Sequence, residues 1–152
     1  MMEFFDKKLI FLNKNYATTD DLFEDLGGEI LANGYGTTLF IEKLKEREGI
    51  FPTGLNLGSY GVAIPHTDPE YITSQFISVA TLSQPVDFKA MDNIEMDVPV
   101  RLVFILGLKK AENQLLVLQK LMQVIQDPKL VEDLLQESKQ QEILIKLEKY
   151  IN

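Results

Sequence analysis

Val98-Pro99-Val100-Arg101-Leu102-Val103-Phe104-Ile105-Leu106 is a near-continuous run of branched apolar residues. A run of this length and composition predicts a strand covered on both faces, central in its sheet. Upstream, Gln75-Phe76-Ile77-Ser78-Val79-Ala80-Thr81-Leu82 alternates as a strand with one covered face. Between the two, Ser83 to Asp97 reads as a turn-rich connection, because it holds Gln84-Pro85 and Asp92-Asn93. Further out, Val62-Ala63-Ile64 is a short strand that Pro65 terminates, Ile50 to Gly61 is a loop, and Lys8 to Leu12 is a first strand.

Helical spacing fills the rest. Thr18/Thr19-Asp20-Asp21 supplies N-cap chemistry for a helix carrying Leu22, Phe23, Leu26, Ile30 and Leu31; Gly27-Gly28 weakens its middle and Asn33-Gly34 ends it. Thr37 to Glu48 forms a second helix with Leu39, Phe40 and Leu44 inward, stopped by Gly49. After Gly107, Glu112 to Gln126 places Leu115, Leu118, Leu121, Met122 and Ile125 on one stripe. Asp127-Pro128 opens a short helix through Leu135, and Ser138 caps a last one to Tyr150. The expected class is α/β, a mixed central sheet of about five strands with helices on both faces.

Composition narrows the chemistry. The chain has 152 residues, 45% of them apolar, enough to bury a substantial core in one compact domain. It has no cysteine, which removes disulfides, thiolate nucleophiles and sulfur-bound zinc and fits a reducing compartment. Met1 to Lys8 has no secretion signal and no apolar stretch approaches the roughly 18 residues of a membrane helix, so the expected location is cytoplasmic. A net charge of -8 argues against nucleic acid and suits docking by a basic protein partner.

The only histidine, His66, follows Pro65 at a strand end. A lone histidine is most often a satisfied polar residue. Here, however, the proline gives it a stiff stem, and sheets of this class place their sites at strand ends. Other chemistries fall by counting. Gly58-Ser59-Tyr60-Gly61 lacks the spacing of a nucleophile elbow, one imidazole cannot make a zinc site, and no glycine cluster has a phosphate-binding pattern. The histidine itself remains as a covalent nucleophile, whose ring nitrogen can carry a phosphoryl group.

Lys45-Glu46-Arg47-Glu48-Gly49-Ile50-Phe51-Pro52-Thr53-Gly54-Leu55, then Val62 to Asp68 with its Pro65-His66-Thr67-Asp68, then Val98 to Gly107 and the helix from Glu112, span nearly the whole chain. Together they resemble the IIA component of the bacterial phosphoenolpyruvate-dependent sugar phosphotransferase system, fructose/mannitol class, and most closely its galactitol-type branch. The resemblance implies that residues 1–152 are a single IIA domain. It implies that His66 takes a phosphoryl group from phospho-HPr and passes it to a cysteine of the cognate IIB component, which serves the membrane IIC permease. Arg47 stands where the family has an arginine that holds the phosphoryl group, with Thr67 and loop amides as further donors. Gln114 stands where many members have a second histidine, and it can hydrogen-bond but not become a cation. No metal, cofactor or nucleic acid is implied.

Asp68 is expected to cap the following turn rather than orient the imidazole. Phe51 or Leu55 would form the contact core of a docking face, although by residue type alone each more often packs inside. Two alternatives stay open: a regulatory IIA-like protein whose His66 phosphorylation controls binding to a regulator, and a binding module in which His66 is structural.

Overall fold

The computed structural model describes residues 1–151. The α/β expectation holds: among the described residues there are five strands in one mixed sheet and five α-helices. The elements are β1 (Phe5–Lys14), α1 (Thr19–Ala32), α2 (Phe40–Ile50), β2 (Gly54–Asn56), β3 (Gly61–Ala63), β4 (Phe76–Ala90), β5 (Asn93–Gly107), α3 (Ala111–Ile125), α4 (Pro128–Leu135) and α5 (Gln140–Ile151). β4 and β5 form the antiparallel centre, β1 lies parallel to β4, and β3 lies parallel to β5. β2 pairs antiparallel with β3 and touches β4 at Gly54–Ala90, so the sheet curls back on itself at one end.

Alternation along the strands feeds two cores. Ile77, Val79, Leu102, Phe104 and Leu106 face α3, α4 and α5, whereas Phe76, Ala80, Leu82, Val103 and Ile105 face α1 and α2. Both halves of this pattern are buried, which is why the Val98–Leu106 run contains so little polarity.

Local chemistry sets the helix ends. The Thr18 hydroxyl accepts from Asp21 N at 3.1 Å at the start of α1, and Asn33 followed by Gly34 at φ 84° closes it. Gly27 does more than loosen α1: a Cβ there would meet Ile41 Cγ1 at 2.7 Å, so its bareness lets α2 pack close. Asp127 caps α4 as expected, with Leu130 N donating to its carboxylate at 3.1 Å.

Several expectations are corrected. Ser83 to Asp97 is not a loose connection but the outer half of the β4–β5 hairpin, which turns only at Met91-Asp92. Pro85 is tolerated because it lies at a register shift between Thr81 and Val86, where the ladder needs no donor from it. Phe76 to Leu82 is covered on both faces rather than one. The stretch read as a loop from Ile50 to Gly61 contains β2, and α2 runs through Gly49 to Ile50 instead of stopping. Leu39 precedes α2 and is exposed, and Leu115 is also exposed, since the buried stripe of α3 is Val117, Leu121, Val124 and Ile125. The last helix begins at Gln140, past Ser138.

Candidate active site

β3 continues through Ile64 and Pro65 along the edge of β5. Leu106 N donates to the Pro65 carbonyl at 3.0 Å, and His66 pairs with Leu106 as a parallel bridge. That pairing carries a stiff backbone up to the histidine. The His66 Nδ1 lies 2.8 Å from the Ile64 carbonyl. A carbonyl can only accept, so Nδ1 holds a proton, and in the neutral ring Nε2 has the lone pair. The ring is partly exposed and lines a small cleft of about 50 Å³ with Thr67, Leu106, Leu108, Gln114 and Leu118.

Gln114 therefore reaches the same cleft as His66. Its Nε2 donates to the Leu108 carbonyl at 3.2 Å, which holds the amide across the first turn of α3. Thr67 is buried to 6% exposure in the cleft wall.

Arg47 sits in the last turn of α2, and its Nη1 donates to Asp68 Oδ1 at 2.9 Å. The pair ties α2 to the loop two residues beyond His66. The guanidinium also lies over the Phe51 ring, 4.9 Å from its centroid, and Nε is buried without a partner among the described residues. Asp68 does not play the capping role expected of it: its side chain makes no cap hydrogen bond to the Pro69–Tyr71 turn. Its carboxylate is drawn instead to the arginine, a partner 21 positions away that local spacing does not reveal.

Glu48 and Thr53 were not legible as site residues. The Glu48 carboxylate accepts from Thr53 N at 2.7 Å and from Thr53 Oγ1 at 2.8 Å. Burial pushes Glu48 up to about 7, and the two Thr53 bonds only partly offset it. Thr53 in turn accepts at its carbonyl from Ile64 N at 3.4 Å. The end of α2 is thus linked through Thr53 to Ile64, and through the Ile64 carbonyl to the imidazole. The one available signal is a threonine locked between Pro52 and Gly54, five residues after a carboxylate at a helix end.

Apolar side chains stand out around these elements. Ile50 and Phe51 at the end of α2 are each 60% exposed, and Leu115 and Leu116 beside Gln114 are exposed too. Phe51 is therefore not a core residue, while Leu55 is partly buried against the core.

The chain as a whole is similar to known proteins. Residues 3–150 match the family described as phosphoenolpyruvate-dependent sugar phosphotransferase system, EIIA 2. Over 121 residues the chain is 31% identical to the galactitol-specific EIIA component of Escherichia coli strain K12, covering 80% of each chain. The fold superposes with TM-score 0.76 on the nitrogen regulatory protein IIA-Ntr of Neisseria meningitidis, 28% identical, covering 96% of this chain and 97% of that one. It superposes with TM-score 0.78 on the mannitol enzyme IIA of Escherichia coli, determined in complex with phosphorylated enzyme IIB. That protein is 20% identical, with 95% of this chain and 99% of that one covered, and at this identity the likeness concerns the fold alone. A match over nearly the full length, together with the galactitol-specific relative, shows that the chain belongs to the EIIA 2 family of the phosphoenolpyruvate-dependent sugar phosphotransferase system.

Proposed function

We propose that His66 is the phosphoryl acceptor of this IIA domain, formed by residues 1–152, and that it works through Nε2. The observation that carries the reading is the Nδ1 contact to the Ile64 carbonyl at 2.8 Å, which occupies Nδ1 as a donor and leaves Nε2 as the ring nitrogen able to accept a phosphoryl group. The Nε2 lone pair forms the new bond to phosphorus as the bond from phosphorus to phospho-HPr breaks. The proton stays on Nδ1, hydrogen-bonded to the Ile64 carbonyl, throughout, so any positive charge that builds on the ring faces a fixed carbonyl dipole. In the second half-reaction a cysteine sulfur of the IIB component attacks phosphorus and His66 Nε2 departs as a neutral imidazole.

Positioning dominates such transfers. Arg47 supplies charge by moving one or more N–H donors from Asp68 to the phosphoryl oxygens, and Asp68 holds it ready in the unphosphorylated state. Thr67 lies within the cleft wall as a hydroxyl donor, and Gln114 supplies a neutral amide where a cationic second histidine would otherwise sit. The exposed Ile50, Phe51, Leu115 and Leu116 form the apolar contact of a docking face, and the net charge of -8 favours a basic partner surface. HPr and the IIB component would use this face in turn. The carrier works in the cytoplasm, and no helix among the described residues is long and apolar enough to cross a membrane.

The polyol is read from the 31% identity to a galactitol-specific component, and galactitol is the assignment it supports. A regulatory role has its own support in the 28% identity to a nitrogen regulatory IIA protein. Growth of a deletion strain on galactitol separates the two: lost growth supports transport, and unchanged growth supports regulation. The phosphoryl step is tested by incubating the chain with labelled phosphoenolpyruvate, enzyme I and HPr. Label is expected on the native protein and absent from His66→Ala, and label that persists in the variant overturns the assignment.

A further inference from the structure

At the far end of β3 from His66 lies a second and larger cavity of about 490 Å³, between the β2–β3 turn, the middle of β4–β5, and α4. Gly61, in its wall, is five residues from His66, roughly 16 Å at extended-strand spacing. The cavity therefore belongs to neither the phosphoryl cleft nor its rim. Its volume lies in the range of small-molecule sites. Pro85, Pro99 and Pro128 stiffen its walls, and Val131 and Leu135 make one side apolar. A preformed, partly apolar cavity loses little entropy on binding.

The polar groups converge on one type of ligand. Arg101 Nε donates to the Leu82 carbonyl at 3.0 Å, which fixes the guanidinium plane and leaves the Nη donors for other partners. No salt bridge among the described residues includes Arg101, although the chain holds 23 acidic residues. Asn56 has its Oδ1 engaged by Gly58 N at 2.9 Å, so its amide N–H groups are the part left to bind, and Ser59 adds a hydroxyl. This end of the cavity is rich in donors and suits a carboxylate or phosphate. Glu132 on α4 also lines the cavity, and its carboxylate, which among the described residues accepts only a long hydrogen bond from Gln136 Nε2 at 3.4 Å, presents an acceptor. A bare anion would meet repulsion there, whereas a hydroxyl would find a partner.

We propose that this cavity is a second ligand site, taking a small hydroxylated organic anion whose carboxylate or phosphate meets Arg101 and whose hydroxyl groups meet Glu132. The site is independent of the phosphoryl chemistry at His66 and stands whether or not that reading holds.

Titration of the isotope-labelled native chain with four probes at millimolar concentration tests it: sorbitol 6-phosphate, gluconate, sorbitol and inorganic phosphate. Either or both hydroxylated anions should shift the amide signals of residues 56–61 and 98–101 saturably, and the preferred one distinguishes phosphate from carboxylate recognition. Sorbitol and inorganic phosphate should bind at least about tenfold more weakly, each lacking one of the two contacts. Arg101→Gln should weaken the preferred probe about tenfold or more. Ser59→Trp, on an exposed turn, should block binding while leaving the spectrum elsewhere intact, which covers the case in which the Arg101 variant fails to fold. Absence of saturable shifts with both anions, shifts at other residues only, or binding undiminished in Ser59→Trp would overturn the proposal.

Discussion

The two ends of β3 differ in how their polar groups are occupied. At the carboxyl end, His66 Nδ1 is held by Ile64 beside a cleft of about 50 Å³, while outside the cleft lining Arg47 is held by Asp68 and Thr53 by Glu48. At the amino end, Arg101 and Glu132 face a cavity of about 490 Å³ with no ion pair between them. A tight end suits the making and breaking of a bond at one atom, because preorganised groups do not need to rearrange. An open end with unspent donors suits reversible binding. One short strand thus separates two kinds of site, and substitutions can be chosen that move one end and leave the other alone.

The largest effect is expected from the clamp at the carboxyl end. Burial disfavours the charge of Glu48 and pushes it up to about 7 in the folded chain, against 4.5 for an unperturbed glutamate. The folded state keeps a proton that the unfolded chain releases, so this group's contribution is full below about pH 4.5 and lost as pH rises through about 7. The total is about 3 kcal/mol at about 1.4 kcal/mol per pKa unit. Urea unfolding across that window should show stability falling with pH in the native chain. Glu48→Gln should flatten the slope and be the more stable form on the alkaline side. A slope that survives the substitution would locate the titration elsewhere.

Next in size is Arg47→Gln, which removes the charge-assisted donor proposed for the phosphoryl group. A loss of about 1.5–3 kcal/mol of transition-state stabilisation corresponds to phosphotransfer slowed by about 10- to 160-fold. Because its partner Asp68 is exposed, global stability should change by less than about 1 kcal/mol. Equal losses in rate and in stability would make Arg47 a structural residue.

A smaller effect is expected at the opposite end. A Cβ on Gly61 would meet the Pro99 carbonyl oxygen at 2.2 Å, so Gly61→Ala should push the amino end of β3 off Pro99 while the pairing from Val62 to His66 persists, and cost about 1–3 kcal/mol. The comparison predicts that His66 phosphorylation in this variant proceeds at close to the native rate once it is folded, whereas the 490 Å³ cavity changes shape. Impaired phosphorylation in folded protein would show that the two ends are coupled.

How much of this was readable in the sequence depends on the range of the interactions. Val98 to Leu106 announced itself because a strand buried on both faces leaves an unbroken apolar run. The outer hairpin was misread although Val86-Asp87-Phe88-Lys89-Ala90 alternates with a period of two, buried at Val86, Phe88 and Ala90. Pro85 and Asp92-Asn93 outweighed that signal, and only the shift of register between the Thr81–Leu102 and Val86–Val100 pairs shows that the proline sits at an irregularity rather than a turn. His66 was legible because Pro65 and the strand end are local, and the family resemblance brought Arg47 and Gln114 with it. Asp68 and Glu48 were not, since their roles depend on contacts made when α2 folds against the β3 exit. Leu115 looked like core by spacing, yet α3 turns Val117 and Leu121 inward and leaves Leu115 on the rim.

The central claim is that a single imidazole nitrogen, Nε2 of His66, carries the phosphoryl group while Nδ1 keeps its proton and donates it to the Ile64 carbonyl as a hydrogen bond. Long-range nitrogen–proton NMR of the imidazole, recorded on nitrogen-15-labelled protein before and after incubation with phosphoenolpyruvate, enzyme I and HPr, reads this directly. Coupling of phosphorus to Nε2, with the Nδ1 proton retained, is the predicted result. Coupling of phosphorus to Nδ1, or a His66 ring whose signals do not change while the protein gains phosphate, would contradict it.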